Sequence, residues 1–141
     1  MDDISDVATT LLARDAASRA LGIELVQAGR GTAAVRMRVR PDMVNGHGVC
    51  HGGLIFTLAD SAFAFACNGY DINTLAAAAS IDFVSPAPLG ATLTAVATEA
   101  HRHGRSGLYD VVVADAGGRL IARFHGRSHE IGGSVIDAAR D

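Results

Sequence analysis

One acidic residue, Asp60, lies inside a strongly apolar segment of this 141-residue chain. Residues 43–70 carry no other formal charge when histidine is counted as neutral. A lone carboxylate in an apolar environment is unfavourable unless it is paired or hydrogen-bonded. It could fill a polar gap, contact a partner or lie on an exposed face. It could also be catalytic, because perturbed ionisable groups collect at functional sites. The residues just before this segment favour a catalytic carboxylate.

The loop before the apolar segment contains Asn45, His47, Cys50 and His51. Two histidines and a cysteine suggest a metal site, but no compact fourth ligand or repeated cysteine pair follows, so we predict no bound metal. Cys50 is a poor candidate nucleophile, because a histidine adjacent in sequence is not oriented to act as its base. The two histidines either stabilise the loop or contact a ligand.

Length and composition indicate one globular domain that spans residues 1–141. Apolar residues make up 49% of the chain and charged residues 19%, which is typical of a folded protein with a substantial core. The net charge of −3 argues against a general nucleic-acid binder, which needs a basic face. All 12 residues counted as Lys or Arg are arginine, so a mechanism that forms a Schiff base on lysine is excluded.

The amino terminus, MDDISDVATT, is acidic and has no basic segment followed by an apolar run, so we predict no secretory signal. A cytoplasmic location with reduced thiols follows for Cys50 and Cys67. The segment Gly52–Tyr70 has a borderline length for a membrane span. However, an acid at its middle would cost about 2.5–3.5 kcal/mol, and no basic cluster flanks it. We therefore expect a buried helix and no membrane partner.

Periodicity divides the chain into a helix, two strands, an apolar helix and four strands. Turn residues and the change from a helical to an alternating pattern mark the boundaries. The predicted elements are a helix over about 6–20 that ends at Gly22, strands Ile23–Gln27 and Thr32–Arg40, a loop Asp42–Gly53, a helix to about Cys67, strands Leu75–Val84, Thr92–His103, Gly107–Ala114 and Arg119–Ser128, and a tail over about 134–141.

The short turns between the last three strands predict an antiparallel meander. A helix that is apolar on most sides must be surrounded, and the sheet of about six strands is the only element that can do this. The sheet must therefore curve around the helix. This α+β arrangement, a curved antiparallel sheet of about six strands wrapped around one long central helix, is the hotdog fold.

The segment Asn45–Gly53, NGHGVCHGG, followed by the helix Leu54–Asn68, resembles the hotdog-fold acyl-CoA thioesterases, in particular the phenylacetic-acid-degradation thioesterase subfamily. A His-Gly-Gly sequence before a helix is weak support alone, but an acid eight residues after Gly52 makes the match strong. The resemblance covers about residues 20–134. It continues in Ile81-Asp82-Phe83 with Pro86, in Gly104-Arg105 with Tyr109-Asp110, and in Ser128-His129 with Ile131-Gly132-Gly133.

The resemblance implies hydrolysis of an acyl-CoA thioester to a carboxylic acid and free CoA, without a metal or redox cofactor. The subfamily suggests aromatic acyl groups of the phenylacetyl or hydroxyphenylacetyl type. Two alternatives stay open. A hotdog acyl-thioester hydratase or dehydratase would use His51 and Asp60 as an acid–base pair, and a non-enzymatic acyl-CoA-binding module would have no turnover.

By the same resemblance, Asp60 is the catalytic carboxylate, either as general base on water or as nucleophile on the thioester. The backbone N–H of Gly52 binds the thioester oxygen, and Asn45 and His51 line the same pocket. A helix N-terminus suits this role, because it offers unpaired N–H groups and a partial positive charge.

Some related thioesterases hold water with a hydroxyl on the strand after the helix. This strand has Ala76–Ala79 at that place, and its first predicted hydroxyl is Ser80. The water-holding group is therefore unassigned, which slightly favours direct attack by Asp60. Ser61 could position water, but a helical serine more often bonds its own backbone.

The spacing between Gly52 and Asp60 predicts a site shared by two subunits. Eight helical residues rise about 12 Å, and one thioester carbon cannot lie within about 3–3.5 Å of groups at both ends. If both roles hold, a homodimer must place Gly52 of one subunit beside Asp60 of the other, with two sites per dimer. The family implies further pairing into a homotetramer.

The phosphates of CoA call for cationic partners near the strand ends. The candidates are Arg105, Arg102 and Arg127, and Arg105 is the first choice because it lies in a turn within a family-like segment. A solvated charged face is an equally good account of each of these arginines taken singly.

Overall fold

A six-stranded antiparallel sheet surrounds one long helix in the computed structural model of this protein, which describes residues 3–138. The strand order across the sheet is β1-β2-β4-β5-β6-β3, and every neighbouring pair is antiparallel. The strand β3 is an edge strand that pairs with β6. The elements are α1 (Asp6–Arg14), α2 (Ala16–Ala20), β1 (Glu24–Gly29), β2 (Thr32–Arg38), α3 (Gly52–Cys67), β3 (Thr74–Phe83), β4 (Thr92–His103), β5 (Ser106–Asp115), β6 (Leu120–Glu130) and α4 (Val135–Ala138), with 3₁₀ turns at Pro41–Met43 and Asn68–Tyr70.

The core lies between α3 and the concave face of the sheet. On β2, Val35 and Met37 are fully buried while Arg36 and Arg38 are exposed, which confirms the predicted alternation. Much of α3 is buried, whereas its first turn and the face that carries Thr57, Asp60 and Ala64 are only partly covered. The buried residues of α3 are Ile55, Leu58, Ala59, Ser61, Ala62, Phe63, Phe65, Ala66 and Cys67.

The amino-terminal helix differs from its prediction, because it breaks at Asp15. The backbone of Asp15 leaves the helical region (φ −88°, ψ 83°), and its carboxylate accepts a hydrogen bond from the N–H of Ser18 at 3.0 Å. Asp15 thus begins a new helix, α2, and the chain changes direction. The predicted end at Gly22 is correct, since this residue has a positive φ of 71° just after the helix.

The strand ends lie within two residues of their predicted positions, and three further differences concern α3, β3 and the tail. The helix α3 begins at Gly52, so both glycines that were assigned to the loop form its first turn. The strand β3 begins at Thr74 and therefore has a hydroxyl before Ser80. The predicted tail contains α4, because the Asp71 carboxylate accepts hydrogen bonds from the Ile136 N–H and from Ser134. Residues 139–141 of that tail lie outside the described residues.

The edge strand β3 is unusual in its exposure. It pairs with β6 on one side, and no strand of residues 3–138 pairs with its other side. Nearly all its side chains are exposed, including Leu75 at 58% and Phe83 at 54%. A long edge with almost no charge is a template for pairing with another strand. No helix within residues 3–138 has the length and apolar character that crossing a membrane requires.

Candidate active site

The amino terminus of α3 presents a free backbone donor. His51 caps the helix, and its Nδ1 accepts a hydrogen bond from the Gly53 N–H at 3.2 Å. The Gly52 N–H has no acceptor among residues 3–138. It borders a cleft of about 310 Å³ whose other lining residues are Asn45, Val49, Cys50, Ile55, Phe83, Val84, Ser85 and Pro86. A carbonyl oxygen in this cleft could accept the free N–H.

Glycine at position 52 allows close approach of an aromatic ring. A Cβ placed there would lie 3.1 Å from Cζ of Phe83, which is tighter than ordinary van der Waals contact. The ring therefore packs directly against the backbone that carries the free N–H. This contact narrows the cleft and places an aromatic ring beside the donor.

The loop that precedes α3 is held in place by backbone and side-chain hydrogen bonds. The Oδ1 atom of Asn45 accepts from the N–H groups of His47 at 2.9 Å and Val49 at 3.4 Å. The N–H groups of Cys50 and His51 donate to carbonyl oxygens of Ala87 and Met43, both at 2.8 Å. The Asn45 Nδ2 has no acceptor within residues 3–138, so the cleft has a second available donor beside Gly52.

The Asp60 carboxylate lies on the face of α3 that the sheet leaves uncovered. It is half-buried, and no hydrogen-bond or ion-pair partner for it occurs within residues 3–138. Burial raises the pKa of Asp60 above its ordinary value, and the negative charge of Asp15 raises it further. A carboxylate with a raised pKa is a better base near neutral pH than an ordinary aspartate.

Asp60 and the Gly52 cleft are separated within one subunit. The helix is unbroken from Gly52 to Cys67, so the eight-residue spacing gives about 12 Å of rise. Asp60 does not line the Gly52 cleft. A different cavity of about 410 Å³ lies along the uncovered face of α3, and its lining includes Ala64, one helical turn after Asp60. Gly52 and Asn45 are thus brought together, whereas Asp60 lies apart from them.

His51 and the two cysteines have structural roles. The exposed His51 ring caps α3 and lies outside the lining of the Gly52 cleft, and its predicted contact with substrate stays a prediction. Cys50 and Cys67 are free and buried. Burial raises the pKa of both thiols, that of Cys67 to about 12, so neither is a ready thiolate nucleophile.

The hydroxyl groups near the site are largely engaged. Thr74 donates to the Ile72 carbonyl oxygen at 2.7 Å, and Ser61 donates to the Thr57 carbonyl oxygen at 2.8 Å, as predicted for a helical serine. Ser80 is exposed and lines a small cleft together with His125 and Arg127.

The three arginines proposed for CoA differ in their availability. The Arg102 guanidinium lies 3.8 Å from the centre of the Tyr70 ring and forms an ion pair with Glu130 at 2.9 Å. Arg105 lies in an exposed turn, and Arg127 borders the cleft beside Ser80. Neither of these two has an ion-pair partner within residues 3–138. Their binding of CoA stays a prediction.

Two features of the site were not found from the sequence. Phe83 and the residues that follow it reach the Gly52 cleft because β3 ends there, which is a tertiary contact. Asp15 approaches Asp60 because the first helix breaks. The signal that the sequence offered is Asp15 itself, since aspartate is a preferred residue at the N-cap of a helix.

Comparison with known proteins identifies the family. The model of the Thioesterase superfamily matches residues 47–122. The acyl-coenzyme A thioesterase PaaI of Escherichia coli (strain K12) is 43% identical over 125 residues, which are 89% of this chain and 89% of that protein. The chain belongs to the thioesterase superfamily. It is a thioester hydrolase, as the resemblance implied, and the hydratase and binding-module alternatives receive no support.

Solved structures of other thioesterases confirm the hotdog fold. The PaaI protein from the phenylacetic acid degradation operon of E. coli superposes with a TM-score of 0.89 at 40% identity, over 94% of this chain and 99% of that one. The phenylacetic acid degradation protein PaaI of Thermus thermophilus, solved as a mutant, gives 0.78 at 35% identity, over 81% and 97%. The α+β prediction of six strands around one helix is therefore correct.

Replacing Gly52 by proline should remove the free N–H with little disturbance of the helix. Proline is tolerated at the first helical position, and the extended conformation of His51 (ψ 131°) suits a residue before proline. If the N–H binds the thioester oxygen, Gly52→Pro should lower kcat by about 10²–10³-fold. The measurement is thiol release at saturating substrate.

Gly52→Ala is the matched control, because it adds a Cβ against Phe83 but keeps the N–H. We expect it to retain much more activity than Gly52→Pro. Equal losses in the two variants would show that crowding of Phe83, and not loss of a donor, explains the effect.

Proposed function

We propose that this thioesterase hydrolyses acyl-CoA thioesters at an active site shared by two subunits. The observation that carries the proposal is the position of two groups on one straight helix: a free Gly52 N–H at its first residue and an unpaired Asp60 carboxylate about two turns further on. Each group is suited to one half of the reaction, and one subunit cannot apply both to a single thioester.

The chemistry assigns a role to each group. Attack on the thioester carbon turns its oxygen into an oxyanion, which the Gly52 N–H and the Asn45 amide can stabilise. Asp60 either removes a proton from the attacking water or attacks the carbon itself to form an anhydride that water then opens. In both routes the C–S bond breaks, CoA leaves as a thiolate that takes up a proton, and the acid is released.

Pairing of two subunits along the free edge of β3 would bring the Gly52 cleft of one close to Asp60 of the other. Phe83, at one end of this strand, lines the Gly52 cleft, whereas Leu75, near the other end, lines the cavity on the Asp60 side. Two copies related by a twofold axis pair such strands antiparallel, which places the Phe83 end of one beside the Leu75 end of the other. The Gly52 cleft of each subunit then faces the Asp60 side of its partner.

The acyl group is proposed to be aromatic, of the phenylacetyl or hydroxyphenylacetyl type. Support comes from the similarity to PaaI of the E. coli phenylacetic acid degradation operon. The cavity on the uncovered side of α3 also has apolar walls suited to a ring, formed by Leu11, Ala64, Leu75 and Ile131. Asn73 and Arg14 at this cavity offer polar contacts for a ring hydroxyl.

The remaining assignments are proposals of the same kind. Arg105 and Arg127 are the preferred partners for the CoA phosphates, and Arg102 is less available because Glu130 and Tyr70 engage it. Pairing of dimers into a homotetramer and a cytoplasmic location stay predictions, and so does hydrolysis without a cofactor.

Asp60→Asn should abolish most thiol release while preserving the fold. The amide has nearly the same shape as the carboxylate but can neither remove a proton nor attack the thioester. We expect kcat to fall by about 10²–10⁴-fold, the usual contribution of a general base. Asp6→Asn makes the same change on the exposed face of α1 and should retain wild-type turnover. Full activity in the Asp60→Asn protein would contradict the proposed role of Asp60.

The choice of acyl group can be read from a panel of CoA thioesters. Phenylacetyl-CoA and its ring-hydroxylated forms should have higher kcat/KM values than straight-chain acyl-CoAs, because a ring fills the apolar cavity better. Leu75→Ala should reduce this preference by about 10-fold, in the range of 1–3 kcal/mol for lost apolar contact in a pocket. A higher kcat/KM for the straight-chain substrates would refute the aromatic assignment and leave hydrolysis itself intact.

Mixed dimers test the shared site. Asp60→Asn and Gly52→Pro subunits should each be nearly inactive alone. After subunit exchange, about half of the dimers are mixed, and each has one intact site, so activity should recover to about a quarter of the wild-type value. Exchange is verified by capturing one tagged variant with the other. If mixed dimers form and remain inactive, both groups act within one subunit.

A further inference from the structure

A chain of hydrogen bonds joins the amino-terminal helices to α3 beside Asp60. The hydroxyl of Ser61, the residue after Asp60, lies 2.8 Å from the Thr57 carbonyl oxygen, and its single proton can be donated either to that oxygen or to Ser18. Its Oγ lies 2.9 Å from Oγ of Ser18 on α2. The Ser18 hydroxyl in turn donates to Oδ2 of Asp15 at 2.7 Å. Both serines are buried, so this chain crosses the packed interface between α2 and α3.

Both carboxylate oxygens of Asp15 are held in place. Oδ1 accepts from the backbone N–H of Ser18 at 3.0 Å, and Oδ2 accepts from the hydroxyl of the same residue. The break between α1 and α2 occurs at this residue because its side chain caps the second helix. The negative charge of Asp15 therefore has a fixed position relative to α3.

Asp15 faces the same side of α3 as Asp60. It lines the cavity that also includes Ala64, one turn after Asp60. Its charge acts on Asp60 together with burial, and both raise the pKa of that carboxyl. Two further titratable or charged groups lie nearby, Arg14 at the wall of the cavity and the buried Cys67 thiol on α3. The cavity-lining residues of β3 and of the segment after β6 are uncharged: Thr74, Leu75 and Ile131.

We propose that Asp15 is a positioning residue for hydrolysis, which places a fixed negative charge beside Asp60 and joins α2 to α3 through Ser18 and Ser61. This inference rests on the proposed role of Asp60. A neighbouring negative charge disfavours the ionised form of Asp60, so this carboxylate binds a proton more strongly. It thereby becomes a stronger base toward water and a stronger nucleophile toward the thioester carbon.

Asp15→Asn tests the charge. Asparagine is as good a helix cap as aspartate, so the variant keeps α2 while removing the charge. Because one cause of the raised pKa is lost, the acid limb of the kcat/KM profile should move to lower pH. On the plateau kcat should fall severalfold with KM unchanged. Asp6→Asn, on the exposed face of α1, is the matched control and should leave the acid limb in place.

Ser18→Ala separates charge from packing. It keeps the Asp15 carboxylate but removes the hydroxyl that bridges to Ser61, so kcat should fall while the acid limb stays close to the wild-type position. An acid limb in Asp15→Asn that matches wild type overturns the proposal. An acid limb that moves as far in Ser18→Ala as in Asp15→Asn also overturns the proposal, because loosened packing would then explain the shift.

A measurement without substrate keeps this inference distinct from the proposed function. Carboxyl carbons of ¹³C-labelled aspartate are titrated by NMR, and the Asp60 signal is identified by its loss in Asp60→Asn. Its midpoint should move to lower pH in Asp15→Asn and remain unchanged in Asp6→Asn. An unmoved midpoint overturns the role of Asp15 even if thiol release is confirmed. A moved midpoint without hydrolysis by the wild-type protein contradicts the proposed function instead.

Discussion

The helix α3 carries a backbone donor at its first residue and a carboxylate about two turns further on, and a rigid helix cannot bring these groups closer. Each turn of helix adds a fixed rise, and α3 is unbroken from Gly52 to Cys67. The arrangement of the sheet follows from this helix, because its apolar sides must be covered while the Asp60 face stays accessible. As a result, the Asp60 face of α3 is left partly uncovered and the free edge of β3 is left exposed.

Close packing keeps this helix rigid within the sheet. Gly126 on β6 has no side chain, and a Cβ there would lie 2.8 Å from the Phe63 ring of α3. The Phe63 ring also contacts the rings of Tyr109 and Phe124, with centroid distances of 5.4 and 5.8 Å. The ring contacts and the close approach of Phe63 to the Gly126 backbone leave the helix little freedom to bend. The spacing of the two functional groups is therefore preserved by the core.

Much of the fold could be predicted from the sequence, because the apolar helix and the alternating strands have clear periods. The break at Asp15 was missed, because a run rich in alanine favours one helix. The break depends on the bond from the Ser18 N–H to the Asp15 carboxylate and on the contact of Ser18 with Ser61. The separation of Gly52 from Asp60 followed from helical geometry alone. The residues opposite Gly52 could not be predicted in this way, because the end of β3 reaches Gly52 only in the folded chain.

The alanine run of β3 has an entropic consequence. Ala76–Ala79 have no side-chain rotamers to lose, so covering this edge with another strand would order very little beyond a backbone that β6 already holds. The same four residues offer no hydroxyl to a water molecule. A stretch that contributes no functional group to the chemistry is thus well suited to assembly, since its small side chains keep the conformational cost of strand pairing low.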